Sequence, residues 1–364
     1  MNIRSETMSL REMVGSARGG QHLATRESPQ SDIQSQFDAE NETSLKIKQC
    51  IRMLASADGA SKVARAELDR FARVRGYYLV AMEMQVALDS ASMNDVASTK
   101  RARIEAYSIA AGYIVGHLHA EIARGIRANK PIGPNIFRQY CNEMLDCWFN
   151  AGKPLDAAEH VFLLRNRLLQ YTVQDASLSV PCLDLVCAVL DTYAQWARQY
   201  MERTVAKRRR TRQRTDYPEP HEIVSVHTEH LVNEIICRMD AELRVVRRLQ
   251  QATAAIQPQH EYGGGEALLN ALVAAATREG YRPLTATLYE RIGLMQKAVS
   301  HGTRFEMLSR AADDHCVLSD AASQLGLLQL ARLEQDAAKR DAFMAHQQFK
   351  QETATRNQLA TNAR

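Results

Sequence analysis

The chain has 364 residues, 45% apolar and 24% charged, with a formal net charge of +4. That size and balance suit a globular chain of two to three domains, and they exclude a collagen-like, disulfide-scaffold or wholly disordered one. Nothing approaches the run of about 18 apolar residues that a membrane span needs.

Residues 1–43 are polar, rich in Ser, Gln, Glu and Arg, and read as a disordered arm. They hold no apolar core of a secretory signal. Glu6, Glu12 and Glu27 interrupt the arginine pattern of a transit peptide, so organelle import is unsupported. Residues 44–130 contain no proline, which favours long helices in a first lobe expected over 44–202. One helix is expected from Leu45 to Ser56. Ser61 would cap the next, with Val63, Ala64, Leu68, Phe71, Val74 and Tyr78 on one face. Another runs from Thr99 to Ile126. Phe137, Tyr140, Cys141, Met144, Leu145 and Trp148 recur at helical spacing, and Gly152 and Pro154 close that helix. Asp156 and Glu159 have capping-box spacing for a helix carrying Val161, Phe162, Leu164, Leu168 and Leu169. A further helix runs from Cys182 into a basic stretch.

That stretch holds Arg203, Lys207, Arg208, Arg209, Arg210, Arg212 and Arg214, seven basic residues in twelve with no acid. Elsewhere acids slightly outnumber bases, so a generally basic nucleic-acid surface is not indicated. With Pro218 and Pro220 the stretch reads as a linker over 203–222. Three readings stay open for it: a polyanion contact, a nuclear-import signal, or a solvated helix end whose cations suit the helix dipole. No aromatic interrupts it, so base stacking is not expected there.

A second lobe is expected over 223–317. Val232, Ile235, Ile236, Met239, Leu243, Val246, Leu249 and Ile256 form a stripe that suggests a long helix packed in coiled-coil manner. His227, His230 and Glu234 share a face, but no HExxH pattern accompanies them. They read as a polar helix start, and no metal or cofactor is expected. Gly263–Gly265 is a break, followed by helices at Leu268–Glu279 and Thr285–Ser300. Asp313 and Asp314 read as a loop or cap. The tail, 318–364, is expected to be helical to about Gln351 and frayed in its last dozen residues. Without β alternation anywhere, the reading is an all-α fold of two helical lobes built from αα-hairpins.

The cysteines number seven, form no CxxC and mostly sit in apolar helical patterns. Buried thiols in a reducing, intracellular compartment explain them, and the paired spacing of a zinc site is missing.

Two segments share a pattern. Asn142 stands ten residues before Gly152, with Met144-Leu145 between them and Pro154-Leu155-Asp156-Ala157 after; Asn270 stands ten before Gly280, with Leu272-Val273 and then Pro283-Leu284-Thr285-Ala286. Each spells helix, glycine stop, proline and returning helix. The first, led by Gly133-Pro134-Asn135-Ile136-Phe137, resembles a pentatricopeptide-repeat hairpin. The resemblance implies stacked hairpins of about 35 residues that read single-stranded RNA. It also implies that Asn142 and Asn270 occupy the base-contacting position.

No nucleophile with a base, no P-loop and no Gly-x-Ser-x-Gly is present, and the chain is read as a non-enzyme. The leading expectation is an RNA-binding protein that contacts phosphates through 203–214. The alternatives are a protein scaffold or homo-oligomeric assembly subunit, motivated by the Val232–Ile256 stripe and the Leu-rich tail, and an exported helical effector, motivated by the polar arm.

Overall fold

The computed structural model describes residues 42–54, 59–90, 96–128, 130–175, 178–212, 220–256, 265–294 and 303–362. Contacts divide the chain into Met1–Lys46 and Ile47–Arg364. In the first unit residues 42–46 are helical, with Lys46 Nζ 2.6 Å from Glu42. The arm expected over 1–43 otherwise lies outside the described residues.

The body Ile47–Arg364 is all-α. It opens with α1 at residues 47–53. There follow α2 (Ala60–Arg75), α3 (Tyr77–Ser90), α4 (Val96–Arg127), α5 (Pro134–Asn150), α6 (Pro154–Gln174) and α7 (Ser179–Arg212). Then come α8 (Pro220–Ile256), α9 (Gly265–Glu279), α10 (Arg282–Leu294), α11 (Arg304–Gln324) and α12 (Leu328–Asn362). Most helices pack on their neighbours in sequence, as successive hairpins do. Beyond these, α5 packs on α7, and α6 touches the most helices: α4, α5, α7, α8, α10 and α12. One contiguous apolar cluster extends from Ile47 to Ala331. Of the linker expected over 203–222, residues 203–212 continue α7 and 220–222 begin α8, while 213–219 lie outside the described residues.

Three hairpin turns share one chemistry. Gly152, Gly280 and Gly326 have φ of 70°, 65° and 73°, a left-handed backbone that glycine alone adopts freely. In each, the residue after the glycine donates its N–H five residues back: Lys153 to Trp148, Tyr281 to Ala276 and Leu327 to Ala322. This is the Schellman arrangement, which satisfies carbonyls that a helix end leaves open. The two segments that share a sequence pattern are the first two of these turns.

Several expected helices have the right face. On α5, Phe137, Cys141, Met144, Leu145 and Trp148 are buried. The α8 stripe from Val232 to Leu249 is buried too, with α7 and α9 packed on this helix, so this chain covers the face that had suggested an outside partner. Other expectations need correction. The face drawn from Val63 to Tyr78 breaks at Gly76, whose φ is 102°, and Val63 and Val74 are exposed. Ser61 is not a cap: Gly59 precedes α2, and Ser61 Oγ instead donates to Glu105. Asp313 and Asp314 lie inside α11 rather than in a loop. The tail is not one helix, because Gly326 folds α12 back onto α11; α12 then continues to Asn362, beyond the expected fraying.

The capping box of α6 is also absent. Lys153 precedes that helix without a side-chain cap. Glu159 serves α12 instead, accepting from the backbone N–H of Gln329 at 2.6 Å and of Leu330 at 2.9 Å. A carboxylate at a helix N-terminus satisfies open N–H groups and opposes the positive dipole end.

All seven cysteines are free thiols; Cys50, Cys141, Cys147 and Cys182 are buried, Cys187 is half-buried, and Cys237 and Cys316 are exposed. Burial pushes Cys182 and Cys187 up to about 11, which makes both poor nucleophiles. No helix among the described residues is long and apolar enough to cross a membrane.

Candidate functional site

The residues singled out in sequence are not gathered into one described site. Asn142 is exposed on α5, and its Oδ1 accepts from Trp196 Nε1 at 3.0 Å. Asn270 is half-buried on α9. Arg203 is exposed on α7, while Lys207, Arg208, Arg209, Arg210 and Arg212 occupy its final turns. Arg214 lies outside the described residues. His227 and His230 are exposed on α8, and Glu234 is engaged by Arg238 at 3.2 Å, in keeping with a polar helix face.

Polar chemistry concentrates elsewhere, beside α6. Arg165 stands in an otherwise apolar helix face among Leu164, Leu168 and Leu169 and is 4% exposed. Its Nη1 donates to both carboxylate oxygens of Glu242, on α8, at 3.0 Å. Its Nε and Nη2 donate to Asn166 Oδ1 at 3.0 and 2.7 Å. Tyr281 donates its hydroxyl to Glu242 at 2.7 Å. Burial, reinforced by the Glu242 charge, holds the Tyr281 phenol well above its usual range, so it stays a donor. Burial pulls Arg165 down, but Glu242 above all, with Tyr281 and Glu334, raises it overall and keeps it charged.

The network continues through α12 and α11. Asn166 Nδ2 donates to Glu334 Oε1 at 2.7 Å, and Glu334 Oε2 lies 2.6 Å from His315 Nδ1. His315 Nε2 faces Asp341 Oδ2 across 3.7 Å. Arg340 then bridges Asp341 Oδ1 at 3.2 Å and Glu290 Oε1 at 2.7 Å. For His315, burial acts downward, but the Glu334 hydrogen bond and the charges of Glu334, Asp341 and Glu290 together raise it.

A cavity of about 300 Å³ opens against this network, between α6, α8, α10, α11 and α12. Phe162, Val245, Leu318, Leu325 and Leu330 give it apolar walls. Arg165, Glu242, Tyr281 and Glu334 supply a polar floor, and Arg238 and Arg282 stand at its lining as well. Apolar walls with a few convergent polar groups are the usual make-up of a small-molecule site, and this volume is at the lower end of that class, roughly 300–1,000 Å³.

Sequence reasoning passed over this region because its parts are far apart in the chain. Two signals were present: an arginine inside an apolar helix face, and Glu334 with Asp341 at i and i+7 on one face of a helix. No family model matches the chain, and no curated protein or solved structure matches it either.

Proposed function

We propose that the chain is a helical binding protein whose ligand is a small apolar molecule with one anionic group, held in the cavity beside α6. The supporting observation is the cavity's composition. Its aliphatic and aromatic walls favour an apolar body. Three guanidinium groups line it, Arg165, Arg238 and Arg282, against the carboxylates Glu242 and Glu334. Arg165 is held by Glu242, whereas Arg238 and Arg282 meet their partners Glu234 and Asp314 outside the lining, at 3.2 and 3.7 Å, and a planar guanidinium with donors to spare suits an anionic oxygen pair. Anilinonaphthalene sulfonate, an apolar anion that fluoresces on leaving water, is a direct probe. Saturable one-site binding is expected. Ala321→Trp, which would fill the cavity from its lining, should weaken it at least tenfold. Arg282→Gln should weaken it less. Unchanged binding in the folded Ala321→Trp variant would sink this reading.

A second reading keeps the polyanion contact. It is favoured by α7 running as one helix to Arg212, so that Arg203, Lys207 and Arg210 share a face by register. Single-stranded RNA, with Asn142 and Asn270 as base contacts on the pentatricopeptide resemblance, is its expected ligand. Filter binding tests it. The triple change Arg208→Ala, Arg209→Ala and Arg210→Ala should weaken binding and flatten its salt dependence. An unaltered salt slope counts against it.

A further inference from the structure

We propose that Glu290, His315 and Asp341 form a binding site for a divalent first-row transition-metal ion. The three side chains come from α10, α11 and α12, the most intimately packed helices of the body. Each offers one ligand atom, and these atoms lie within 4.8 Å of one another. A metal bonded at about 2.0–2.2 Å holds its ligands about 3 Å apart, so side-chain shifts on the order of 1 Å would close the shell.

The histidine is already oriented as a metal ligand would be. A carboxylate only accepts hydrogen bonds, so His315 Nδ1 donates to Glu334 Oε2 at 2.6 Å. Glu334 is fixed in turn by Asn166 at 2.7 Å. In the neutral imidazole, Nε2 is then a lone pair. Carboxylate backing of the far ring nitrogen is the common outer support of a metal-bound histidine.

What the lone pair meets is the second observation. Asp341 is fully buried, at 0% exposure. Its Oδ2 and His315 Nε2 face each other at 3.7 Å, and both are buried atoms with no hydrogen-bond partner among the described residues. A lone pair and a carboxylate oxygen repel in a dry site unless positive charge stands between them. A proton on Nε2 supplies one unit of that charge; a divalent ion supplies two.

The local charge count favours the ion. Glu290 and Asp341 carry two negative charges against the single positive charge of Arg340 when His315 is neutral, and Glu334 adds a third that it shares with Arg165. Arg340 holds one oxygen of Glu290 and one of Asp341, which leaves the other oxygen of each for a ligand. Glu290 is partly open to solvent, which leaves room for water in the remaining coordination positions. An imidazole with two carboxylates suits manganese or zinc better than calcium or magnesium. The site does not depend on the cavity reading, although Glu334 serves both.

The test uses Mn2+ alone, because zinc would also seek the exposed thiols of Cys237 and Cys316. The full chain is stripped with chelator and titrated with MnCl2, and free Mn2+ is read from its six-line paramagnetic resonance signal. Binding of one equivalent is expected. Glu290→Gln and His315→Gln should each weaken it at least tenfold. Glu290 lies at the edge of the cluster, so that variant stands as the measurement if the histidine change impairs folding. Metal-free melts with circular dichroism establish which variants fold. Two results overturn the proposal: no Mn2+ binding to the parent chain at millimolar concentration, or one-equivalent binding unchanged in folded Glu290→Gln.

Discussion

Replacing Arg165 by Met should destabilise the body by about 3–5 kcal/mol, the usual cost of breaking a buried ion pair from one side. The structure places the change in that class. Arg165 is 4% exposed and gives two hydrogen bonds of 3.0 Å to Glu242. Methionine roughly keeps the volume but leaves the Glu242 side chain, only 13% exposed, with the Tyr281 hydroxyl as its remaining donor among the described residues. With an unfolding entropy of about 2 cal/mol/K per residue, a body of roughly 300 residues loses about 1.5 °C of Tm per kcal/mol. The expected fall is therefore about 5–8 °C. The double change Arg165→Met with Glu242→Leu removes both charges together. Its remaining penalties are the lost partners of the Tyr281 hydroxyl and of Asn166 Oδ1, about 1–3 kcal/mol for a polar group left unsatisfied. Thermal and urea melts of both singles and the double, followed by circular dichroism, close the cycle. If Arg165→Met costs under about 1 kcal/mol, or if the singles simply add to the double, the pair is not the coupled buried unit described.

Three further outcomes follow from the packing. Glu159→Ala removes the cap on α12 and should cost about 0.5–2 kcal/mol, with faster hydrogen exchange at Gln329 and Leu330; unchanged exchange there would refute the cap. Gly293→Ala places a methyl 2.6 Å from Leu308 Cγ and 3.3 Å from the Leu308 backbone nitrogen, and overpacking of this kind costs about 1–3 kcal/mol in a urea melt. His160 stacks on Trp148 at 5.1 Å, and burial holds its imidazole below the ordinary value of 6.5, with Glu159 and Asp156 opposing. The unfolded chain then takes up this proton more readily than the folded one. The contribution is therefore complete above pH of about 6.5 and is lost as pH falls toward and through the lower folded value. His160→Phe should shrink the Tm difference between pH 7.5 and 5.5, and an unaltered difference would remove His160 from the acid response.

Local periodicity carried much of the fold. The buried residues of α5 from Phe137 to Trp148 and of α8 from Val232 to Leu249 can be read directly from their spacing, since a helix must turn one apolar stripe inward. Helix ends were less legible. Ser61 and Asp156 have the right chemistry for caps, but a cap works only at the actual first turn, and tertiary packing sets that boundary. Gly326 breaks the tail expected to be helical, but the apolar Leu325, Leu327 and Leu330 continue on both sides of it and stay buried across the turn, so composition alone does not mark the break. The polar site was least legible. Asn166 and Glu334 are 168 residues apart, and no local pattern states that two distant polar side chains will share a buried hydrogen bond. An arginine inside an apolar stripe signals that some partner exists without naming it.

The central place of α6 bears on how the protein emerges from the ribosome. Arg165 meets Glu242 after 77 intervening steps of chain, and Asn166 meets Glu334 after 168. Roughly doubling the span adds only about 0.6 kcal/mol of closure entropy, so the finished body bears the longer loop easily. Time is the larger consequence. At about 5–20 residues per second, α6 exists for roughly 10–30 s before α12 is made. During that interval Glu159 has no helix terminus to cap, and Asn166 has no Glu334. The middle of the chain must therefore remain open, or be sheltered, until its last contacts are synthesised.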